Sequence, residues 1–555
     1  MNRYSLPVFF FAVLLACGKA RKPTNLYSDE VMIRIADLKD RRSTDSLLLF
    51  LTDQNPSRRR EAVMAFGSIQ DSMAVEHLGK LLSGDQDTLV RSAAAFALGQ
   101  TPCQGSSRIL LQAASKEKNT FILNEILEAY GKTATRWSLA ADPSIAPVGI
   151  AWSLYRAGLR NIAGPEETKL ASLLLDSDQP TEARLAAAHF FSRNAKSIEA
   201  YSNLIIQTAV QDPDVEVRMA AASALRKIKT DSASATIRKI MESADDYRVR
   251  LNALRSLADR PFGKTKDILL DALDDENANV GISASEVIRD NAEEKYWIEL
   301  ANRVTSIKNA RIQANVYQAI LEVKENAAVL EEIKNAYRQS TNPYRQAALL
   351  TALQASPASF EFLHEELLNA DTSVVRTSAA SALVGINKHK RFKPTWKKKF
   401  ASLYKEAINT GDPAVIGIIA SALGDSTLGY RPVIGDFSFL HDARSKLSLP
   451  RDNEALQPLE SAIAYFEGNP GPVIKNQFNN PIDWELVKTI PSDARAVIKT
   501  NHGHIIIKLL VEEAPGSVAN FIRLAREGYF DNKFFHRVVP NFVIQAGCHR
   551  GDGWG

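Results

Sequence analysis

Cysteine is nearly absent: Cys17, Cys103 and Cys548 are the three in 555 residues. No disulfide framework can be read from so few, and Cys103 reads as a lone buried thiol. Charge of one sign is also scarce. A formal net charge of +4 does not by itself call for a nucleic-acid partner. Long apolar runs are missing, with one exception at Leu6 to Ala16 (LPVFFFAVLLA), which is too short to cross a bilayer as a mature helix. His502 and His504 have no further His, Cys or carboxylate at ligand spacing. They read as turn and strand-face residues, and neither a metal nor a cofactor is expected. What remains is ordinary for a soluble globular protein, 45% apolar and 24% charged. The length exceeds what one core supports, and implies about three to four domains or a repeat array with a module attached.

Arg3 supplies a positive charge ahead of the apolar run, which closes on Leu14-Leu15-Ala16-Cys17. This is the layout of a cleaved signal peptide, and its end resembles a bacterial lipobox. The resemblance implies a signal peptide over residues 1–16, cleavage before Cys17, acylation of Cys17 and a tether over 17–30. Several acyl chains on one residue hold a protein at a membrane better than one chain does. The mature chain is therefore expected to be a membrane-anchored lipoprotein of a bacterial cell envelope, extracytoplasmic and facing the periplasm.

The middle of the chain repeats itself. A residue, most often arginine, is followed by small residues three and six positions on. The pattern occurs at Arg59-Ala62-Ala65, Arg91-Ala94-Ala97, Arg184-Ala187, Arg218-Ala221-Ala224, Arg250-Ala253, Arg345-Ala348 and Arg376-Ala379-Ala382. Weaker copies start at Leu123, Ala151, Gly281, Arg311 and Ile416. Most starts are about 28 to 34 residues apart, a period that signals stacked supersecondary units. Small residues at i, i+3 and i+6 share one helix face and let a neighbouring helix approach closely. Acidic or turn-forming stretches such as Asp212-Pro213-Asp214 precede the copies and suit helix N-termini. The pattern resembles HEAT-type repeats, which implies an all-α solenoid over residues 31–440, with its end and a linker over 441–493. A protein partner on the solenoid is expected; no residue identifies it.

The repeated arginines invite reading as a basic binding ladder. Pairing with the acidic loop of the same or the next repeat is the better account, since nearest-neighbour packing repeats one lattice position. Lys388, Lys390, Arg391, Lys393 and Lys397 to Lys399, interleaved with Phe392 and Trp396, read as a solvated helix start. Acidic envelope lipid or glycan is the alternative there.

Breakers cluster at Gly468-Asn469-Pro470-Gly471-Pro472, and residues 467–491 read as a linker with some fixed turns. Ala494 to Thr500 and His504 to Leu510 are β-branched runs joined by Asn501-His502-Gly503, a hairpin. A helix follows, opened by Pro515, striped by Val518, Phe521, Ile522 and Ala525, and ended by Gly528. Two short strands flank Val539-Pro540-Asn541.

The segment APGSVANFIRLAREGYFDNKFFHRVVPNFVIQAG resembles the first half of the cyclophilin family of peptidyl-prolyl cis-trans isomerases. That resemblance implies a β-barrel portion over 494–555 (hairpin, helix, two strands) and activity on X–Pro bonds of client proteins, in protein folding and without a cofactor. It implies Arg537 as the catalytic donor, Phe542 and Val543 (usually Met in the family) lining the prolyl pocket, and Gln545 holding substrate backbone. His536 and Phe535 would support the site. Ala546 and Cys548 depart from the usual glycine and aspartate at the edge of the site. The larger departure is length: family members close an eight-stranded barrel over about 160 residues, against 62 from Ala494 to Gly555. An incomplete domain is therefore expected, inactive as it stands. The competing expectation is a non-catalytic HEAT-repeat scaffold carrying an inert module.

Overall fold

A computed structural model describes residues 24–139, 142–193, 198–472 and 480–554. The expected signal peptide and Cys17 lie outside the described residues. From Glu30 to Glu467 the described chain forms helices joined by short turns. The helices that carry the small-residue pattern stack on one another in one row. Within that row we label α1 (Thr181–Arg193), α2 (Val215–Ala224), α3 (Tyr247–Arg255), α4 (Ala278–Asn291) and α5 (Ala310–Val323). The row continues through α6 (Pro343–Leu353), α7 (Ser373–Lys388), α8 (Pro413–Gly424) and α9 (Asn453–Glu467).

Local sequence explains where these helices start and why they stack. Asn55, Asp87, Asp214, Asp246, Asn309, Asn342 and Asp412 each precede a helix and accept backbone N–H bonds of its first turn, which satisfies donors that have no intrahelical partner. Ala62, Ala65, Ala94, Ala97, Ala187, Ala221, Ala224, Ala253, Ala379 and Ala382 are all buried. The closest approach uses glycine. A Cβ on Gly131 would lie 2.4 Å from the Ser153 carbonyl, and one on Gly149 2.5 Å from Asn124 Cα. No larger residue fits either position without parting the helices Thr120–Thr133 and Pro147–Leu159.

The repeated arginines staple each repeat to the next. One guanidinium nitrogen donates to a carbonyl six residues back: Arg59 to Asp53, Arg91 to Asp85, Arg218 to Asp212, Arg250 to Ala244 and Arg376 to Ala370, at 2.6–2.9 Å. In Arg59, Arg184, Arg250 and Arg376 other nitrogens also reach the following loop's carboxylate, Asp85 at 2.8 Å, Asp212 at 2.9 Å, Asp275 at 2.9 Å and Asp412 at 3.3 Å. Burial pushes the Asp85 carboxyl up, but hydrogen bonds from Arg59 and the Asp87 N–H outweigh it and hold the group below the usual range. The ladder is thus structural, as pairing with the acidic loops predicts.

Two local readings need correction. Cys103 is only half-buried, and its sulfur accepts the Ser106 N–H at the start of a helix. The linker is not turns alone, because α10 (Trp484–Thr489) lies within it, capped by Asp483. Asn25 donates to the Val487 and Ile490 carbonyls at 2.7 Å, and Tyr27 packs on Trp484 with ring centroids 5.1 Å apart. The segment after the solenoid therefore returns to its beginning.

The C-terminal segment holds β1 (Arg495–Thr500), β2 (Gly503–Lys508), α11 (Pro515–Arg526), β3 (Arg537–Val539) and β4 (Val543–Gln545). Strands β1 and β2 pair antiparallel from Arg495↔Lys508 to Thr500↔Gly503, and β3 and β4 from Arg537↔Gln545 to Val539↔Val543. Among the described residues these are two separate two-stranded sheets, not a closed barrel. Of the expected α11 stripe, Val518 is buried and Phe521 and Ile522 are half-buried, whereas Ala525 faces solvent. Gly528, at φ +73°, ends the helix.

Candidate functional site

Strand alternation places the site. Arg537 and Gln545 are directly opposite across β3 and β4, so both side chains leave the same face of the ribbon. Arg537 Nη1 donates to Gln545 Oε1 at 3.0 Å, and both side chains are exposed. No carboxylate neutralises the guanidinium, since Arg537 forms no ion pair among the described residues. Val543 lies on the same face, opposite Val539, and is half-buried. The turn Pro540-Asn541-Phe542 needs a left-handed residue, which Asn541 supplies at φ +54°.

Phe542, expected to line the prolyl pocket, stands 80% exposed at that turn. Phe535 is also on the surface. His536 is half-buried, and its Nδ1 is buried without a hydrogen-bond partner among the described residues. The Gly551–Trp554 loop passes beside its ring, with a Cβ on Gly553 falling 3.7 Å from His536 Nε2. The structure thus brings Arg537, Gln545 and Val543 onto one face, and leaves Phe542 and Phe535 open rather than walled into a pocket.

The ribbon rests on the helical row. Arg255 of α3 donates to the Pro540 carbonyl at 3.0 Å, and Arg311 at the start of α5 donates to the Val538 carbonyl at 2.6 Å. Tyr344 of α6 meets Phe534 edge to face and donates to the Gly551 carbonyl at 3.1 Å. The Asp552 side chain is buried and fully engaged. It accepts from Arg550, from Thr377 of α7 at 2.8 Å and from the Trp554 N–H at 2.9 Å. Burial raises the Asp552 carboxyl, but these bonds, led by Arg550, outweigh it and hold the group below its usual range. Arg550 also grips Asp412 at 2.7 Å, and Trp554 lies over Gly417 of α8, where a Cβ would meet the indole at 2.4 Å.

Sequence reasoning did not single out Arg255, Arg550 or Asp552. Arg255 stands outside the repeated lattice position, so periodicity carries no signal for it. Arg311 was visible only as the start of a weak repeat copy. The basic cluster at 388–399 is largely paired. Lys390 bonds Glu322 at 2.9 Å, Arg391 bonds Glu325 at 2.7 Å and Lys399 bonds Glu361 at 2.5 Å. Phe392 and Trp396 pack with Phe360 and Phe400 rather than facing a ligand.

Comparison with known proteins agrees with this architecture. A family model for HEAT repeats matches residues 44–131 and 167–258, and one for cyclophilin type peptidyl-prolyl cis-trans isomerases matches 495–554. A peptidyl-prolyl cis-trans isomerase of Helicobacter pylori (strain J99) is 48% identical over 71 residues, 13% of this chain and 41% of the relative. Peptidyl-prolyl cis-trans isomerase CYP57 of Arabidopsis thaliana is 48% identical over 65 residues, 12% of this chain and 13% of that protein. The spliceosome-associated protein CWC27 homolog of Xenopus laevis is 49% identical over 65 residues, 12% and 14% of the two chains. The chain therefore spans less than half the length of these curated relatives, from 13% to 41%. Among solved structures, Kap121p bound to Pho4p aligns at 13% identity and a TM-score of 0.38, over 90% of this chain and 65% of that one. The chain carries HEAT repeats followed by a cyclophilin-type segment.

Proposed function

We propose that this protein is a cyclophilin-type peptidyl-prolyl cis-trans isomerase whose HEAT-repeat solenoid binds client proteins. Rotation about an X–Pro bond is slow because amide resonance must be broken, at roughly 18–20 kcal/mol. At the half-turned state the prolyl nitrogen becomes pyramidal and regains a lone pair. A donor aimed at that nitrogen binds the twisted state more strongly than either planar isomer, which lowers the barrier. The observation that carries this reading is the exposed Arg537 guanidinium, tethered at one nitrogen by Gln545 and paired with no carboxylate among the described residues. Its remaining donors face solvent, and arginine holds its charge at any working pH. Gln545 orients that guanidinium and has an amide N–H left for a substrate carbonyl. Neither a nucleophile nor a cofactor takes part.

The test, made on a protein that carries the complete cyclophilin domain, is isomerisation of a proline peptide followed by NMR exchange or by an isomer-selective protease. Replacing Arg537 with Ala should lower kcat/KM by about 10²- to 10³-fold, the usual loss when one transition-state donor is removed. Equal rates with and without the side chain would refute the mechanism.

A specific observation favours a second reading, a non-catalytic scaffold. Phe542 is 80% exposed and the two hairpins do not close around it. That reading expects no isomerisation even from a protein with the domain complete, and client binding that is indifferent to Arg537→Ala.

We further place the protein at a bacterial cell envelope, anchored through acylated Cys17 and facing the periplasm. The support is the Leu14-Leu15-Ala16-Cys17 stretch behind a short apolar run. Metabolic labelling with an alkyne fatty acid should mark the wild type and not Cys17→Ser. Label on both would remove the anchor.

A further inference from the structure

Beside the β3–β4 turn the helical row opens into a cleft of about 640 Å³, walled by α1, α2 and α3 and bordered by Val539, Asn541 and Phe542. That volume suits a few residues of an extended peptide. Its charge is lopsided. Arg193, Arg226 and Arg255 line it, against Glu216 as the one lining carboxylate. Arg226 is neutralised from outside by Asp259, bonded through two nitrogens at 2.6 and 2.7 Å. Arg193 and Arg255 take part in no ion pair among the described residues; Arg255 bonds only the Pro540 carbonyl. A surplus of positive charge therefore remains within a partly desolvated wall. Burial, then Arg193 and Arg226, push the Lys227 ammonium down to about 8. The polar groups Ser192, Ser223 and Asn252 complete the lining.

We propose that this cleft is a second binding subsite, taking acidic residues that flank the target proline of a client chain. The proposal rests on the isomerase reading only where it takes Phe542 to meet the prolyl ring. Phe542 borders the cleft, so a peptide whose proline touches it would run its neighbouring residues along α1 to α3. An aspartate or glutamate there meets Arg193 and Arg255 without displacing an existing carboxylate partner. A lysine there meets two unpaired cations.

The full chain is titrated with fluorescein-labelled peptides that share an Ala-Pro centre and carry Asp/Glu, Gln or Lys flanks, read by fluorescence anisotropy. The acidic peptide should bind at least about tenfold tighter than the Gln peptide, and 0.5 M salt should close most of that gap. Arg193→Glu, at an exposed position, should abolish the preference, whereas Lys398→Glu, on the distant basic segment, should preserve it. Equal affinity for the three peptides overturns the proposal, as does a preference that survives Arg193→Glu. So does a short single-stranded oligonucleotide that displaces the acidic peptide at lower concentration than unlabelled acidic peptide, since the site would then prefer phosphate. The two readings separate cleanly. Acidic-peptide binding that Arg193→Glu abolishes, with no isomerisation of any peptide by the protein with its cyclophilin domain complete, upholds the cleft and removes the enzyme. Isomerisation that depends on Arg537 but ignores the flanks does the reverse.

Discussion

Arg184 in the helical row and Arg537 in the C-terminal ribbon are the same side chain in opposite circumstances. Arg184 and its partner Asp212 are each 5% exposed, joined by two hydrogen bonds at 2.9 and 3.1 Å, and a third nitrogen binds the Gln179 carbonyl. Every strong donor is consumed, and the group holds two repeats together. Arg537 touches one neutral amide and otherwise faces water. A charge with its partners built in is architecture, while a charge left with free donors is available to a substrate. Arginine count along the chain says nothing about function until each guanidinium's partners are known.

The comparison breaks most sharply if the ladder is cut. Asp212→Ala leaves Arg184 buried opposite no carboxylate, which should cost about 3–5 kcal/mol by urea unfolding. Replacing both members by apolar residues of similar size, Arg184→Met with Asp212→Leu, should recover most of that loss, because no unpaired charge is then buried. A cost below about 1 kcal/mol for Asp212→Ala would mean that the pair is not sealed from water. Arg537→Ala sits at the other extreme. Its effect on unfolding should stay within about 0.5 kcal/mol, as for exposed positions without fixed partners. A large stability loss there would recast Arg537 as structural, whatever the activity assay shows.

The helical half was legible because its information is periodic. The spacing of Arg59, Arg91, Arg218, Arg250 and Arg376 already implies one repeated contact, and the carbonyl six residues back is the same contact at each. The β-hairpin at Asn501-His502 and the helix opened by Pro515 were legible from turn chemistry, whereas Arg537 and Gln545 were legible only through the family resemblance, and their shared face comes from the strand register. What could not be read was long-range docking. Arg255 finds the Pro540 carbonyl across 285 positions, and Arg550 finds Asp412 across 138. Neither bond leaves a local pattern, because partner choice at that separation is set by the stacked helices rather than by neighbours in sequence. The helix at Trp484–Thr489 was hidden for the same reason: its stability comes from Asn25 and Tyr27 at the far end of the chain.

A pH-dependent effect tests the electrostatic contrast beside the cleft, where cations are neither stapled nor fully solvated. Lys227 has its ammonium pushed from 10.5 down to about 8, first by burial and then by Arg193 and Arg226. In the unfolded chain the group keeps its ordinary value, so between about pH 8 and 10.5 the unfolded state binds more protons. Stability therefore rises with pH through that window; below it, the folded protein carries the full penalty of a charged lysine among like charges. Lys227→Gln removes the penalty. It should raise the Tm at pH 7 by a few degrees, short of the ~3 kcal/mol that a fully dry site would imply, because solvent reaches part of the side chain. The gain over wild type should shrink steadily as the pH is raised towards 10.5. A gain that is flat with pH would show that the Lys227 ammonium keeps its ordinary value, with neither burial nor Arg193 and Arg226 acting on it.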